Sequence, residues 1–360
     1  MAKSKIKDLE FDNLQTYDDV LNSLRLKKRE KHLLMGNGFS MSYDSGIFSY
    51  NALYNFIEEL KDPVLDKLFD IINTKNFELI MQQLDNFIEI ADAFNADKEL
   101  TIKLKKANEL LQSSLIDAIS KLHPEHVFEV PENKSKACYS FLNNYLDFGG
   151  KVFTTNYDLL LYWVLMRNAS KTSVDGFGRD IENPEEIMKG EVAEFSDELF
   201  WGKHKDEQSV FYLHGALPIF DTGVEIEKEV YTTQHYLLEN IKNRLDHHDY
   251  PVFVTAGNGE EKLKHIVHNR YLTFCYEQLS KIEGSLVSFG FNFGQYDEHI
   301  IDAINKAAND GLMTKGGKKL YSIYIGVYSE SDLNHIKKIE NKFRCKVNVY
   351  NAGSANVWGK

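Results

Sequence analysis

Four short stretches carry residue types that could do chemistry together: Gly36-Asn37-Gly38-Phe39-Ser40, Thr154-Thr155-Asn156-Tyr157-Asp158, Leu213-His214-Gly215 and Ser288-Phe289-Gly290-Phe291-Asn292-Phe293-Gly294. In the first, glycines let the backbone approach a phosphate, and bare N–H groups can donate to it. A full dinucleotide fingerprint would add a glycine at position 41 and an acidic residue about 20 positions further on. The chain has Met41 there, and Glu58 and Glu59 fall in a helical pattern, which disfavours a nicotinamide dehydrogenase. A ligand-free turn fits the same residues.

The second stretch has two threonines, an asparagine and an aspartate within five positions. Helix capping needs one such residue, so the surplus points to a site. In the third, a histidine follows an apolar run and a glycine clears the space beside it. A lone histidine is most often structural, but one at a strand end beside a glycine can act as a general base near neutral pH. In the fourth, small residues after an apolar run could admit a ribose, with Asp297-Glu298-His299 opening the next helix; a turn plus helix cap is the plainer account.

These stretches need elements to hold them. Strands are expected at 32–35, 151–153, 209–214, 251–255, 285–291, 320–327 and 345–350, with helices at 17–29, 138–149, 261–280, 297–309 and 331–342 and after Asp158. Short apolar strands alternating with helices predict an α/β fold: a Rossmann-like, mostly parallel sheet with helices on both faces. Apolar residues recurring at three and four mark a helical insertion over 51–125. The polar stretch 171–208 reads as a surface excursion, and the last residues, AGSANVWGK, as a loose tail. The whole chain, 1–360, is expected to be one domain. In such sheets ligands bind at the carboxyl ends of the strands, where all four stretches fall.

Composition narrows the partners. The chain of 360 residues is 43% hydrophobic and carries a net charge of -12, from 54 acidic and 42 basic residues, with no basic block to track a nucleic-acid backbone. Cys138, Cys275 and Cys345 are far apart and form no C-x-x-C pair. No apolar run approaches the roughly 18 residues of a membrane span, and the first residues are polar. A cytoplasmic protein with no membrane contact is expected.

The order GNGFS, TTNYD, LHG, SFGF resembles that of the sirtuin family, and most of all its divergent branch in bacterial antiphage defence. The stretch 250–280 is similar to an uncharacterised bacterial family of that branch. The resemblance implies that Gly36, Asn37, Gly38 and Ser40 lie against the NAD pyrophosphate, with Phe39 and Thr155 also at the nucleotide. It assigns Asn156 to the nicotinamide ribose and the attacking water, Asp158 to the nicotinamide pocket, His214 to general base, and Ser288 and Gly290 to the adenosine half. The four zinc cysteines of the deacylating sirtuins are missing, so no zinc and no resident cofactor is expected.

What the resemblance leaves is scission of the nicotinamide–ribose bond, with NAD as substrate. It implies an NAD hydrolase that depletes NAD in abortive infection, acting as a homo-oligomer or with a separately encoded partner such as an ATPase or nucleotide-processing protein. An unrestrained hydrolase would poison its own cell, so a resting restraint is expected. A catalytically silent NAD- or ADP-ribose-binding subunit is the alternative, and a protein deacylase a more distant one.

Overall fold

The computed structural model describes residues 6–48, 58–59, 61–72, 77–124, 126–182, 192–231, 235–247, 249–254, 258–313 and 319–359. Six parallel strands form the main sheet: β1 (Lys31–Met35), β2 (Val152–Thr154), β5 (Val210–Tyr212), β9 (Gly284–Phe289), β10 (Leu320–Val327) and β11 (Lys346–Asn351). Their order is β11-β10-β9-β1-β2-β5. Leu33, Leu34, Met35, Val152, Phe153, Leu286 and Val287 are all buried. Successive side chains of a strand face opposite ways, so unbroken burial means that both faces of the sheet are covered. The flanking helices do this, and the architecture is the expected Rossmann-like α/β one.

Helix α1 (Tyr17–Leu26) begins in a capping box in which Thr16 and Asp19 satisfy each other's backbone N–H groups. A short α2 (Asn37–Tyr43) follows β1, and α3 (Ser45–Phe48) continues it. Helix α7 (Glu132–Leu146) lies on β1 and β2, with Phe141 edge-on to Phe289 of β9 at 5.6 Å. Helix α8 (Leu160–Arg167) follows β2, and α9 (Leu237–Asp246) lies further along the chain. Beyond them, α10 (Gly259–His268) and α11 (Arg270–Ser280) are two helices where the sequence predicts one. Asn269 causes the break: its side chain accepts from the N–H groups of Tyr271 and Leu272 and so starts a new helix. Helix α12 (Glu298–Met313) connects β9 to β10, and α13 (Glu330–Ile339) connects β10 to β11.

The insertion supplies α4 (Pro63–Ile72), α5 (Phe77–Ala93) and α6 (Lys98–Leu122). Leu65, Phe69, Ile80, Met81, Leu84 and Leu111 give it a small core of its own. The expected helix over 51–57 lies outside the described residues.

A second sheet was not foreseen. Strands β3 (Phe177–Gly178), β4 (Leu199–Trp201), β6 (Gly215–Asp221), β7 (Ile226–Lys228) and β8 (Pro251–Phe253) form an antiparallel sheet in the order β3-β4-β7-β6-β8. The strand expected near 251–255 thus pairs antiparallel with β6 and does not join the parallel sheet. Parts of the 171–208 stretch enter the second sheet as β3 and β4, while 183–191 lie outside the described residues. An ion pair between the buried Lys228 and the half-buried Asp175 ties β7 to the loop after α8.

The tail is not loose. Ser354 Oγ accepts from the Tyr17 N–H at 2.8 Å, Val357 and Trp358 are buried, and the Trp358 ring packs on Phe39 and Tyr43 at 4.9 and 5.0 Å. Its Nε1–H donates to the Phe39 carbonyl at 3.0 Å and to Ser42 Oγ at 3.1 Å. Burial of one indole with its N–H satisfied is enough to order a short polar segment, and here it pins α2 directly after the first glycine turn.

Candidate functional site

Strands β9, β1, β2 and β5 are neighbours, and each of the four stretches starts where one of them ends. Phe289 pairs with Met35, Met35 with Thr154, and Thr154 with Tyr212. The chain leaves β1 toward β2 and β5 on one side and returns through β9, β10 and β11 on the other. The β1/β9 boundary is therefore the switch point of the sheet, the place where open α/β sheets bind ligands.

The two glycine turns meet at that boundary. The Gly36 N–H donates to the Phe289 carbonyl at 3.1 Å, the Gly38 N–H to the Gly290 carbonyl at 2.9 Å, and the Phe39 N–H to the Gly36 carbonyl at 2.9 Å. A Cβ on Gly38 would sit 2.6 Å from the Gly290 Cα, and one on Gly290, whose φ is +65°, would sit 2.5 Å from the Phe39 nitrogen. The bareness of GNGFS is thus used first to let two strand-end turns touch. The expectation of free N–H groups at Gly36 and Gly38 does not hold, because both are already bonded. Asn37 is the exposed residue of the turn. Gly38→Ala is expected to destabilise the fold by about 1–3 kcal/mol through overpacking against backbone, measurable by thermal or urea unfolding. Gly223→Asn, in open space, should stay within about 1 kcal/mol.

The second stretch closes onto the first through side chains. Asn156 Nδ2 donates to Ser40 Oγ at 2.7 Å, and Ser40 Oγ donates to Asp158 Oδ2 at 2.5 Å. Asp158 Oδ1 accepts from the Leu160 N–H at 2.9 Å at the start of α8. Asp158 is thereby both a helix cap and the anchor of Ser40. Thr154 Oγ1 accepts from the Asn156 N–H at 3.1 Å, and the Thr155 N–H donates to the Met35 carbonyl at 3.1 Å. Asn156 and Asp158 are each 8% exposed and Ser40 is fully buried. With Nδ2 committed to Ser40, the Asn156 amide keeps Oδ1 as an acceptor for a ligand or water.

His123, just beyond α6, supports the same turn. Its Nε2 accepts from the Leu159 N–H at 2.9 Å, its Nδ1 lies 3.1 Å from the Pro124 carbonyl, and its ring stands edge-on to Trp163 at 4.6 Å. That pattern requires the neutral tautomer with the proton on Nδ1. Burial accordingly lowers its pKa, with Asp158 opposing.

His214 lies between the two sheets, after β5 and before β6. Gly215 has φ +81°, and a Cβ there would fall 1.7 Å from the Val252 carbonyl oxygen, so strand β8 passes where a side chain would be. The His214 Nε2 faces His299 Nε2 at 2.8 Å, with ring centroids 5.0 Å apart and planes 26° from parallel. Burial, the neighbouring His299 and Lys262 hold the His214 pKa well below the usual histidine range. Burial and Lys262 bring His299 down to about 3. Lys262 is itself buried, with Asp297 as its ion-pair partner at 3.4 Å.

Ser288 Oγ is buried without a hydrogen-bond partner among the described residues, and the Ser288 carbonyl accepts from the Tyr350 hydroxyl at 2.9 Å. Among the described residues no group of three or more His, Cys, Asp or Glu side chains could hold a metal ion, and no helix is long and apolar enough to cross a membrane. Sequence reasoning missed His123, Lys262 and the partnership of His299. The acidic-histidine cluster Asp297-Glu298-His299, directly after the fourth stretch, is the one signal that could have found the last.

The fold is that of a Rossmann-like α/β protein with a polar constellation at the carboxyl ends of four adjacent parallel strands, the position at which open sheets of this class bind ligands. The sequence model of a family described as "Domain of unknown function (DUF4917)" matches residues 33–358, from β1 to the tail tryptophan. The chain belongs to that family. No curated protein matches it.

Proposed function

We propose that this protein is an NAD glycohydrolase of the sirtuin-like type, releasing nicotinamide and ADP-ribose, and an effector of antiphage defence. One observation carries the reading: the four stretches that resemble the sirtuin order end four adjacent parallel strands, with Asn156, Ser40 and Asp158 joined in one buried chain and His214 on the next strand end.

NAD would lie across the strand ends, with its pyrophosphate near Asn37 and Ser40 and its adenosine half toward Ser288 and Gly290. The C1'–nicotinamide bond breaks through an oxocarbenium-like transition state, nicotinamide leaves neutral, and water forms the new C1'–O bond. Asn156 Oδ1 orients that water or a ribose hydroxyl. His214, kept unprotonated at neutral pH, takes the released proton. The resting restraint is proposed to be lifted by self-assembly or by a separately encoded partner in the cytoplasm.

A second reading draws on the closed β1/β9 boundary, whose glycine amides are already bonded: a subunit that binds the nucleotide without consuming it. Incubating the purified protein with NAD, with and without lysate of phage-infected cells, separates the two. Nicotinamide release supports hydrolysis. Calorimetric binding of NAD or ADP-ribose without release supports the second reading.

A further inference from the structure

We propose that His299, in the first turn of α12, is the positioning residue of His214: it accepts a hydrogen bond from His214 Nε2–H and so presents Nδ1 as the nitrogen that takes a proton. The proposal rests on the reading of His214 as the base, and deepens it by naming the nitrogen and the group that fixes it.

Proton counting carries the argument. Two neutral imidazoles hold two protons on four nitrogens, and the 2.8 Å Nε2···Nε2 contact uses one of them. If His299 donated, the proton of His214 would sit on Nδ1, and neither of its nitrogens could accept another. If His214 donates, its Nδ1 is open. Once Nδ1 takes a proton, the resulting imidazolium still has an acceptor for its Nε2–H in His299. Only the second arrangement serves a base, and it puts the His299 proton on Nδ1, a buried atom with no hydrogen-bond partner among the described residues.

The surroundings fit a held pair. The two residues are 3% and 1% exposed, and a Cβ on Gly259 of α10 would meet the backbone nitrogen of His299 at 3.2 Å, so α10 closes directly on this turn. The buried ammonium of Lys262, paired with Asp297 at 3.4 Å, lowers the pKa of both histidines. A cation there disfavours a second positive charge and keeps the resting pair neutral, with one acceptor nitrogen left on each ring.

Two measurements test this. In two-bond ¹H–¹⁵N spectra of the full chain, the tautomers of buried histidines are distinguishable, and His214 is expected as Nε2–H with His299 as Nδ1–H. Finding His214 as Nδ1–H overturns the proposal whatever the protein does to NAD. In NAD turnover, His299→Ala is expected to lower kcat at least about tenfold with KM unchanged, and His299→Gln, which keeps an amide acceptor near the Nε2 position, to recover most of it. Equal kcat in wild type and His299→Ala overturns the proposal. So does a failure of His299→Gln to recover while folded. No turnover by the wild type, with the expected tautomers, instead overturns the hydrolase reading and leaves the pairing standing.

Discussion

Replacing Asn156 by alanine is expected to lower nicotinamide release from NAD by at least about a hundredfold while the protein stays folded. Asn156 is held by its backbone through Thr154 and by its side chain through Ser40, and its remaining acceptor is the group assigned to the water and ribose. Truncation removes one donor from Ser40 Oγ, which still donates to Asp158. The stability cost should therefore be about 1–2 kcal/mol, that of one buried hydrogen bond. Activity falls far more than stability, and a thermal melt run beside the nicotinamide assay checks both. An unchanged rate would remove Asn156 from the chemistry.

A second large effect is expected from acid. His32, at the other end of β1, accepts from the Lys151 N–H at Nδ1, and its Nε2 lies 3.0 Å from the Glu283 carbonyl. Burial and the nearby Lys151 push its pKa down to about 4, as burial and Lys262 push His299 to about 3. Both folded values lie below the ordinary 6.5, so the unfolded chain binds protons first as the pH falls. Stability is fully present above about pH 6.5 and is lost through the window down to pH 4 or 3. At pH 5 each residue costs about 2 kcal/mol. Melting is then expected on the order of 5 °C lower at pH 5 than at pH 7.5 for a chain of this size. His123 and His214, whose pKa values burial also lowers, add to the drop, so His299→Gln should remove only part of it. A melting temperature that is flat between the two pH values would contradict buried neutral histidines.

The parallel sheet was legible because its strands are short runs of buried apolar residues such as KHLLM and GSLVSF, each closed by a glycine or polar turn. The antiparallel sheet was not. Its strand β6 runs straight on from Leu213-His214 and contains Pro218, which reads as a break, while β3 and β7 have two and three residues. Such elements exist through pairing, and pairing between distant segments leaves little local periodicity. The helix Leu237–Asp246 carries Leu237, Leu238, Ile241 and Leu245 at helical spacing, but in polar surroundings that dilute the signal.

The site divides in the same way. Asn156, Asp158 and Ser40 were each visible as polar residues at strand ends, and the fold joins them in one hydrogen-bonded chain. The reasons for the glycines were not visible. Gly38 faces Gly290, and Gly215 faces Val252, across 252 and 37 positions of sequence respectively. A glycine needed for close approach looks, from its neighbours alone, like one needed for a ligand. The tail failed for a related reason, since one tryptophan among small polar residues has no periodicity to announce its burial.

The most direct test of the central claim is to incubate wild type and His214→Ala with NAD, in the presence of infected-cell lysate, and to quantify nicotinamide and ADP-ribose together. Equal amounts of the two products are expected from the wild type and at least about a hundredfold less from the variant. Intact NAD recovered from the wild type, or equal product from both proteins, would contradict the claim.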